Sequence, residues 1–301
     1  MRLRLPQAKL ELRAHEPLVM GILNIGRDSV ADSRTFSGVE EQVQRGLELV
    51  AAGAQIIDVG VLSGRTDTEP VSIEAEIDSL CPVVRALSDH GVLVSVDSWR
   101  AETIAAAIDA GAALINDTSG LLDTAVAEIA SRSGAGLVVM HTRARPKQEY
   151  FPVYADPVLD VVEFLRERMA LATAHGVDPE QIVLDPGLDY AKAPRESVEV
   201  LRHLDAVAAL GRPLLLAVSR KYFIGMLTDA GPEERLAGTL AALEFGVSAG
   251  AQIVRVHDVA EVSQYLRTRA ALHNGGNVVM LGRREDERLK WIAPKQELGA
   301  P

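Results

Sequence analysis

The amino-acid sequence predicts a single-domain (β/α)8 barrel, and two patterns carry that prediction. Short apolar runs rich in β-branched residues recur along the chain, and each follows a longer segment with helical periodicity, as in repeated βα units around a parallel sheet. The candidate strands are residues 18–25, 55–60, 93–97, 113–117, 137–141, 181–185, 213–219 and 252–257. Eight such units favour a closed barrel.

A triplet of small residues repeats where a predicted helix ends and the next strand begins. The helical segments 39–53, 100–111 and 233–250 begin with charged residues and end in glycine, a residue that commonly terminates helices. The triplets are Ala52-Gly53-Ala54, Ala110-Gly111-Ala112, Gly134-Ala135-Gly136 and Ala249-Gly250-Ala251. Their recurrence indicates one unit used repeatedly. The alternative, an open doubly wound sheet, has fewer strands and a G-x-G-x-x-G turn, which follows no strand here.

Length and composition set the domain organisation and the class of ligand. The chain has 301 residues, of which 48% are hydrophobic, enough for one large core. Residues 18–276 form the predicted barrel, preceded by an N-terminal segment, 1–17, and followed by a charged tail, 277–301. No apolar run has the length of a membrane span or a secretory signal, so we expect a cytoplasmic protein. The net charge of −11 opposes binding to nucleic acid or an anionic membrane and favours a small-molecule ligand.

Polar residues stand at the end of every candidate strand, where a barrel enzyme has its active site. In chain order they are Asn24, Asp58, Asp97, Asn116 with Asp117, His141, Asp185, Ser219 with Arg220 and Lys221, and Arg255 with His257. Taken singly, Asp58 or Asp117 is explained equally well as a helix cap, and Arg220 as a partner in a surface salt bridge. Their occurrence at all eight strand ends favours a binding site.

Cationic side chains follow the seventh and eighth strands, the place where barrels often bind phosphate. Lys221, Arg255 and His257 gather there in an otherwise acidic protein. Guanidinium and ammonium groups suit a phosphate-bearing ligand.

On the opposite side of the predicted mouth lie Asp97, Asn116 and Asp185. Carboxylates accept hydrogen bonds from ring N–H groups, and an amide both donates and accepts. The two sets of residues together predict a flat, nitrogen-rich heterocycle joined to a phosphate.

Six sequence strings, in order between residues 18 and 276, resemble the motifs of the dihydropteroate synthase family. They are VMGILNI (19–25), SVDSWRAE (95–102), INDTSG (115–120), LDPGLDYAK (184–192), SRKYFIG (219–225) and RVHDV (255–259). The resemblance implies a (β/α)8 barrel that joins dihydropterin-CH2 diphosphate to para-aminobenzoate, with release of diphosphate, as a step of folate biosynthesis.

The resemblance also implies roles for individual residues. The pterin ring would be held by Asp97, Asn116, Asp185 and Lys221, and the diphosphate by Asn24, Arg255 and His257, with Asn24 also a ligand of Mg2+. Lys221, Arg255 and His257 would be the catalytic residues. Ionisation of the C–O bond places charge on the departing diphosphate, and cationic groups and a metal stabilise that charge.

The two loops that would enclose the acceptor amine depart from the family's pattern. In the first loop, Gly26-Arg27 replaces Thr-Pro and Val30 replaces an aromatic residue. The second loop keeps two family residues and changes two others: Ser63 and Arg65 are retained, whereas Leu62 and Gly64 replace Glu and Thr. A lost positioning contact costs on the order of a hundredfold in rate, so several losses together predict weak or absent synthase activity.

Two further departures lie on the same side of the reaction. Asp189-Tyr190 replaces Gly-Phe in the sixth loop, and Tyr222 replaces Ser after the conserved Ser-Arg-Lys. A carboxylate at Asp189 repels an acceptor that bears a carboxylate, and Tyr222 fills space that a small hydroxyl leaves open.

Three functions fit these observations. The first is a synthase-like protein that recognises the pterin but performs the ordinary condensation poorly or not at all. The second is a working synthase, or a transferase that uses another amine, since a protein without catalytic demands has little reason to keep a buried cationic pocket. The third is a non-enzymatic pterin- or partner-binding barrel, or a folate-binding methyltransferase module of the corrinoid type. The diphosphate-type residues after the seventh and eighth strands argue against the methyltransferase, which has no diphosphate to hold.

The resemblance extends to partners. It implies a homodimer formed through helices near one end of the barrel, and the apolar helix around residues 237–245 is compatible with that. It also implies para-aminobenzoate, or sulfonamide and sulfone mimics of it, as ligands of the acceptor side.

Overall fold

The computed structural model describes residues 1–6, 8–13, 16–26, 36–61 and 71–273, so the tail predicted at 277–301 lies outside the described residues. The strands are β1 (Arg2–Arg4), β2 (Lys9–Glu11), β3 (Leu18–Asn24), β4 (Ile56–Gly60), β5 (Val94–Asp97), β6 (Leu114–Asp117), β7 (Gly136–Met140), β8 (Ile182–Asp185), β9 (Leu215–Leu216) and β10 (Ile253–Val256). The helices are α1 (Val39–Ala52), α2 (Ile73–Asp89), α3 (Ala101–Asp109), α4 (Ala125–Ser133), α5 (Pro157–Ala174), α6 (Pro194–Arg202), α7 (Leu204–Ala208), α8 (Tyr222–Thr228), α9 (Leu236–Ser248) and α10 (Val259–His273).

Strands β3 to β10 form one parallel sheet that curves into a barrel. The strand order is β8-β7-β6-β5-β4-β3-β10-β9, and a parallel bridge between Leu184 and Leu214 joins the two ends of the sheet. The connections run through helices, as parallel pairing requires. The predicted (β/α)8 barrel is therefore confirmed.

The predicted strands lie within one residue of the observed bounds, except for the seventh. That strand is Leu215–Leu216 rather than residues 213–219. The chain leaves the ladder because Val218 accepts a hydrogen bond from the Lys221 N–H in a turn, and Arg220 adopts the left-handed conformation with φ 57°. The residues after β9 consequently bend toward the mouth of the barrel.

The recurring glycines end helices, as their sequence positions predict. Gly53 follows α1 with φ 116° and donates its N–H to the carbonyls of Leu49 and Val50. Gly134 follows α4 in the same left-handed region, with φ 75°. A side chain is disfavoured at such φ values, which is why glycine recurs there.

The barrel has two layers of apolar packing. One lies between the strands and the helices, and the other fills the barrel interior. The interior layer contains Leu3, Leu5, Leu12, Met20, Ile56, Leu114, Val138, Val183, Leu215 and Ile253. The first three belong to or flank the antiparallel β1–β2 hairpin, whose strands the sequence pattern does not predict. The N-terminal segment thus packs against the apolar interior of the barrel.

No helix in the described ranges is both long and apolar enough to cross a membrane.

Candidate active site at the mouth of the barrel

Alternation along the strands places the polar residues inside the barrel, above the apolar layer. Ile56 belongs to the interior cluster, so Asp58, two residues later, faces the same way. The same spacing carries Leu114 to Asn116, and Val183 to Asp185. Asp58, Asn116 and Asp185 are buried, with 0%, 2% and 4% of their surface exposed. The carboxyl ends of the strands therefore converge on one polar layer.

Arg255 lies at the centre of this layer, between two carboxylates. Its Nε donates to Asp58 Oδ2 at 2.6 Å and its Nη2 donates to Asp97 Oδ2 at 2.6 Å. Asn116 Nδ2 donates to the same oxygen of Asp58 at 2.9 Å. Burial acts to lower the pKa of Arg255, but Asp58 and Asp97 outweigh it and raise the pKa. The guanidinium is thus a permanent charge that neutralises the carboxylates around it.

The two carboxylates predicted to bind a heterocycle have raised pKa values. Burial raises the pKa of Asp97 to about 7, and Arg255 opposes the shift. Burial also raises the pKa of Asp185. Two groups act to lower it: the Gly187 N–H, which donates to Asp185 Oδ1 at 2.7 Å, and the nearby Lys221. Each group therefore lies in a dry environment, where a hydrogen bond to a ligand is strong.

Lys221 lies beside the polar layer and contacts an aromatic ring. Its Nζ is 4.4 Å from the centroid of the Tyr190 ring, within the range of a cation–π interaction. Burial lowers the pKa of Lys221, while Asp189 and Asp185 raise it. Tyr190 thus places an aromatic ring against the ammonium, with a hydroxyl where the family resemblance implies Phe.

His257 is neutral, and its tautomer follows from its partners. Burial lowers the pKa of His257 to about 3, and Arg255 and Arg220 act in the same direction. Ser219 Oγ accepts the His257 backbone N–H at 3.1 Å and lies 3.0 Å from His257 Nδ1, to which the hydroxyl proton can donate. In that arrangement the proton of the neutral imidazole resides on Nε2, which makes that atom a hydrogen-bond donor.

A cavity of about 980 Å³ lies beside this layer, and Asp58, Asp97, Asn116 and Asp185 are not among the residues that line it. Arg255, His257 and Lys221 line it together with Trp99, and the loop after β7 contributes residues 144–151. The volume is that of a small-molecule site.

Asp189 and Tyr222 also line this cavity, on the side predicted to receive the acceptor. Asp189 Oδ2 accepts a hydrogen bond from the Phe223 N–H at 3.2 Å, and Oδ1 accepts one from Ser197 Oγ at 3.1 Å. A carboxylate of the chain itself therefore lies at the first turn of α8. Tyr222, the first residue of α8, leaves 57% of its surface exposed. Tyr190, also predicted on this side, lines the cavity too, whereas the predicted Val30, Ser63, Gly64 and Arg65 lie outside the described residues.

Asn24, the predicted metal ligand, ends β3 and pairs in register with Gly60 of β4. No group of three or more His, Cys, Asp or Glu side chains in the described ranges could hold a metal ion. This donor set fits Mg2+ that arrives with a diphosphate, because Mg2+ commonly takes one or two protein ligands and completes its shell with phosphate oxygens and water.

The structure brings Asp97, Asn116, Asp185, Lys221 and Arg255 together, but it adds partners that the sequence did not assign. Sequence reasoning left Asp58 open as a helix cap, whereas it holds both Arg255 and Asn116. The available signal was its place two residues after the buried Ile56. The predicted diphosphate role of Arg255 remains a prediction, since two of its nitrogens are engaged with carboxylates.

Fold and site together define a (β/α)8 barrel with a cavity of small-molecule size beside a buried polar layer at the carboxyl ends of its strands. The model of the pterin binding enzyme family matches residues 20–257. A dihydropteroate synthase of Bacillus subtilis is 37% identical over 263 residues, which cover 87% of this chain and 90% of that protein. The chain therefore belongs to the dihydropteroate synthase family of pterin-binding enzymes.

Solved structures give the same result. The structure of Yersinia pestis dihydropteroate synthase with a sulfonamide drug complex has a TM-score of 0.85 against this chain at 33% identity. The match covers 91% of this chain and 100% of that one. The Xanthomonas albilineans synthase in complex with 7,8-dihydropteroate has a TM-score of 0.79 at 35% identity, covering 89% and 98% of the two chains.

Replacing Asp58 by Asn tests the central ion pair. The change keeps the shape of the side chain but leaves the buried Arg255 with a single carboxylate, and we expect a loss of about 3 kcal/mol in the free energy of unfolding. Urea denaturation followed by circular dichroism measures it. The matched control is Glu11→Gln, which breaks the exposed pair with Arg2 and should cost less than about 1 kcal/mol. Equal effects of the two substitutions would contradict a central role for Asp58.

Proposed function

We propose that this protein binds a dihydropterin-CH2 diphosphate at the mouth of the barrel, and that its altered acceptor side makes the ordinary condensation with para-aminobenzoate slow or absent. The observation that carries the proposal is the contrast between the two sides of the cavity. The polar layer around Arg255 keeps every predicted pterin residue, whereas Asp189 brings a carboxylate to the acceptor side.

The pterin would lie against the polar layer. Asp97 and Asp185 accept hydrogen bonds from ring N–H groups, and Asn116 both donates and accepts. The Oδ1 atom of Asp58 is buried with no hydrogen-bond partner among the described residues, and such an atom suggests a site that a ligand completes. Lys221 would contact the ring from the side of Tyr190.

The diphosphate would lie toward β10. His257 can donate from Nε2 to a phosphate oxygen without carrying a charge, and no described residue accepts a hydrogen bond from Arg255 Nη1. As the C–O bond ionises, negative charge grows on the diphosphate, and these donors stabilise it, while the pterin ring spreads the positive charge left behind.

Mg2+ fits the proposal as a partner of the diphosphate. Asn24 would supply a protein oxygen ligand, and the bound metal would neutralise part of the charge on the leaving group.

The altered acceptor side supports the proposal that para-aminobenzoate is used slowly. The Asp189 carboxylate accepts a hydrogen bond from the Phe223 N–H, so that donor is already engaged. The carboxylate of para-aminobenzoate would therefore meet a like charge there and lack this donor. The Yersinia pestis synthase is solved with a sulfonamide drug complex, and in this protein sulfonamide and sulfone mimics would meet the altered Tyr190 and Tyr222.

A second candidate is a transferase that uses another amine, or a working synthase with changed loops. The partial burial of Lys221 and Arg255 favours it, because charges removed from water are costly and a binding protein has less need of them. A non-enzymatic pterin-binding role is the remaining alternative. A homodimer, to which the half-exposed Phe245 of α9 would contribute, stays a prediction.

A diphosphate-release assay with dihydropterin-CH2 diphosphate and Mg2+, run with and without para-aminobenzoate, tests the acceptor side. We expect the double substitution Asp189→Gly and Tyr222→Ser to raise release that depends on para-aminobenzoate at least about tenfold, because it removes the repelling carboxylate and opens space.

The matched control for this assay is Asp229→Gly. Asp229 also has a positive φ, 56°, but lies at the other end of α8, so the control relieves the same backbone strain without altering the cavity. We expect no change in release. Release by the unsubstituted protein at an ordinary enzymatic rate would show that the proposed loss of activity is wrong.

The raised pKa of Asp97 predicts a pH dependence of pterin binding. Below its pKa of about 7 the Asp97 carboxyl is mostly protonated, and its protonated oxygen is a poor hydrogen-bond acceptor. Above this pKa the carboxylate predominates, and both of its oxygens can accept hydrogen bonds from ring N–H groups. The ratio of the dissociation constants of Asp97→Asn and the unsubstituted protein should therefore rise about tenfold between about pH 6 and about pH 8. Fluorescence titration with the pterin measures this ratio. A ratio independent of pH would mean that Asp97 does not titrate in this range.

A further inference from the structure

The turn after β8 carries Asp185, which the proposed function assigns to the pterin, and Tyr190, whose ring contacts Lys221, and its backbone is unusual. Asp185 ends the strand and Tyr190 follows five residues later. Gly187 and Asp189, which lie between these two residues, and Ala191, which follows Tyr190, adopt left-handed conformations, with φ values of 63°, 64° and 50°. The conformation disfavours residues with a side chain, so surrounding contacts must hold the turn in place.

Lys192 provides such contacts from inside the turn. Its side chain is 1% exposed, and its Nζ donates to the carbonyl oxygen of Gly187 at 2.8 Å and to that of Tyr190 at 3.1 Å. A third contact joins Nζ to His141 Nδ1 at 2.6 Å. One amine therefore ties both ends of the strained segment to the end of β7.

The protonation of His141 follows from its other nitrogen. His141 Nε2 lies 2.8 Å from Asp160 Oδ1, and Asp160 also pairs with Arg143. Because the carboxylate only accepts, Nε2 carries the proton and Nδ1 accepts from Lys192. Burial lowers the pKa of His141 to about 3, with Lys192 acting in the same direction, so the ring is neutral.

All three partners of Lys192 accept hydrogen bonds, an arrangement that suits an ammonium with its three donors. Burial lowers the pKa of Lys192 to about 7, while Asp185 raises it. Lys221 lowers it further, and Asp160 and Glu196 raise it.

We propose that Lys192 is a positioning residue for the pterin site: it holds the Gly187 and Tyr190 carbonyls and the His141 ring, and so fixes the turn that places Asp185 and the Tyr190 ring. The donors of Lys192 Nζ are directed at the turn and at His141, so Lys192 acts through the turn rather than on the ligand. The proposal rests on the proposed pterin binding for its functional consequence, but the effect on the turn can be measured without a ligand.

The first test replaces Lys192 by Met, which keeps the aliphatic stem and removes the donors. At about pH 6, where the ammonium form predominates, amide hydrogen exchange in residues 185–192 should accelerate about tenfold, and the dissociation constant for dihydropterin-CH2 diphosphate should rise about tenfold. The matched control is Lys9→Met on β2, at the opposite end of the barrel, which should change neither. Unaltered exchange in residues 185–192 of a folded Lys192→Met protein would overturn the proposal.

The second test separates the role of Lys192 from general packing and does not depend on the fold tolerating the loss of the lysine. His141→Asn keeps a polar acceptor near the Nδ1 position, whereas His141→Gln reaches the Nε2 position and removes the partner of Lys192. We expect the Asn variant to retain pterin affinity within about twofold and the Gln variant to lose about tenfold. Equal losses in the two variants would contradict the proposal. If the unsubstituted protein does not bind the pterin diphosphate, the proposed function fails, and the exchange measurement still decides the role of Lys192.

Discussion

The pairing of Arg255 with Asp58 and Asp97 is the interaction on which the rest of the site depends. A polar layer that contains several carboxylates at the top of a barrel interior is unfavourable unless a cation compensates it. Arg255 supplies that charge from β10 and joins strands β4 and β5 through its two hydrogen bonds. Because Asn116 shares Asp58 with Arg255, the pairing also orients a residue of β6. The side chains of this layer thus hold one another in place.

Most of the fold could be predicted from the sequence because a parallel barrel repeats one local pattern. Buried strands read as apolar runs, and the glycines that end helices mark the unit boundaries. The seventh strand is shorter than its apolar run because the turn at Val218 and the left-handed Arg220 redirect the chain. The β1–β2 hairpin escaped prediction because its strands have three residues each, too few for a period to be recognised.

The position of the candidate site could be predicted, but its internal partners could not. Strand ends converge in any barrel, so Asp97, Asn116 and Asp185 were placed by topology. By contrast, Arg255 and Asp58 are 197 residues apart in the sequence, and no local pattern indicates which carboxylate a cation will pair with. The same holds for Lys192 and His141, 51 residues apart, and for the approach of Asp189 to the first turn of α8.

We propose that the site divides into a pterin side that is retained and an acceptor side that is altered. A two-step calorimetric titration tests this division most directly: dihydropterin-CH2 diphosphate is added with Mg2+, and para-aminobenzoate or a non-reactive sulfonamide mimic follows. The account predicts saturable binding of the first ligand, with a dissociation constant of about 10 μM or tighter, and no saturable heat from the second. Saturable binding of both ligands, or of neither, would contradict it.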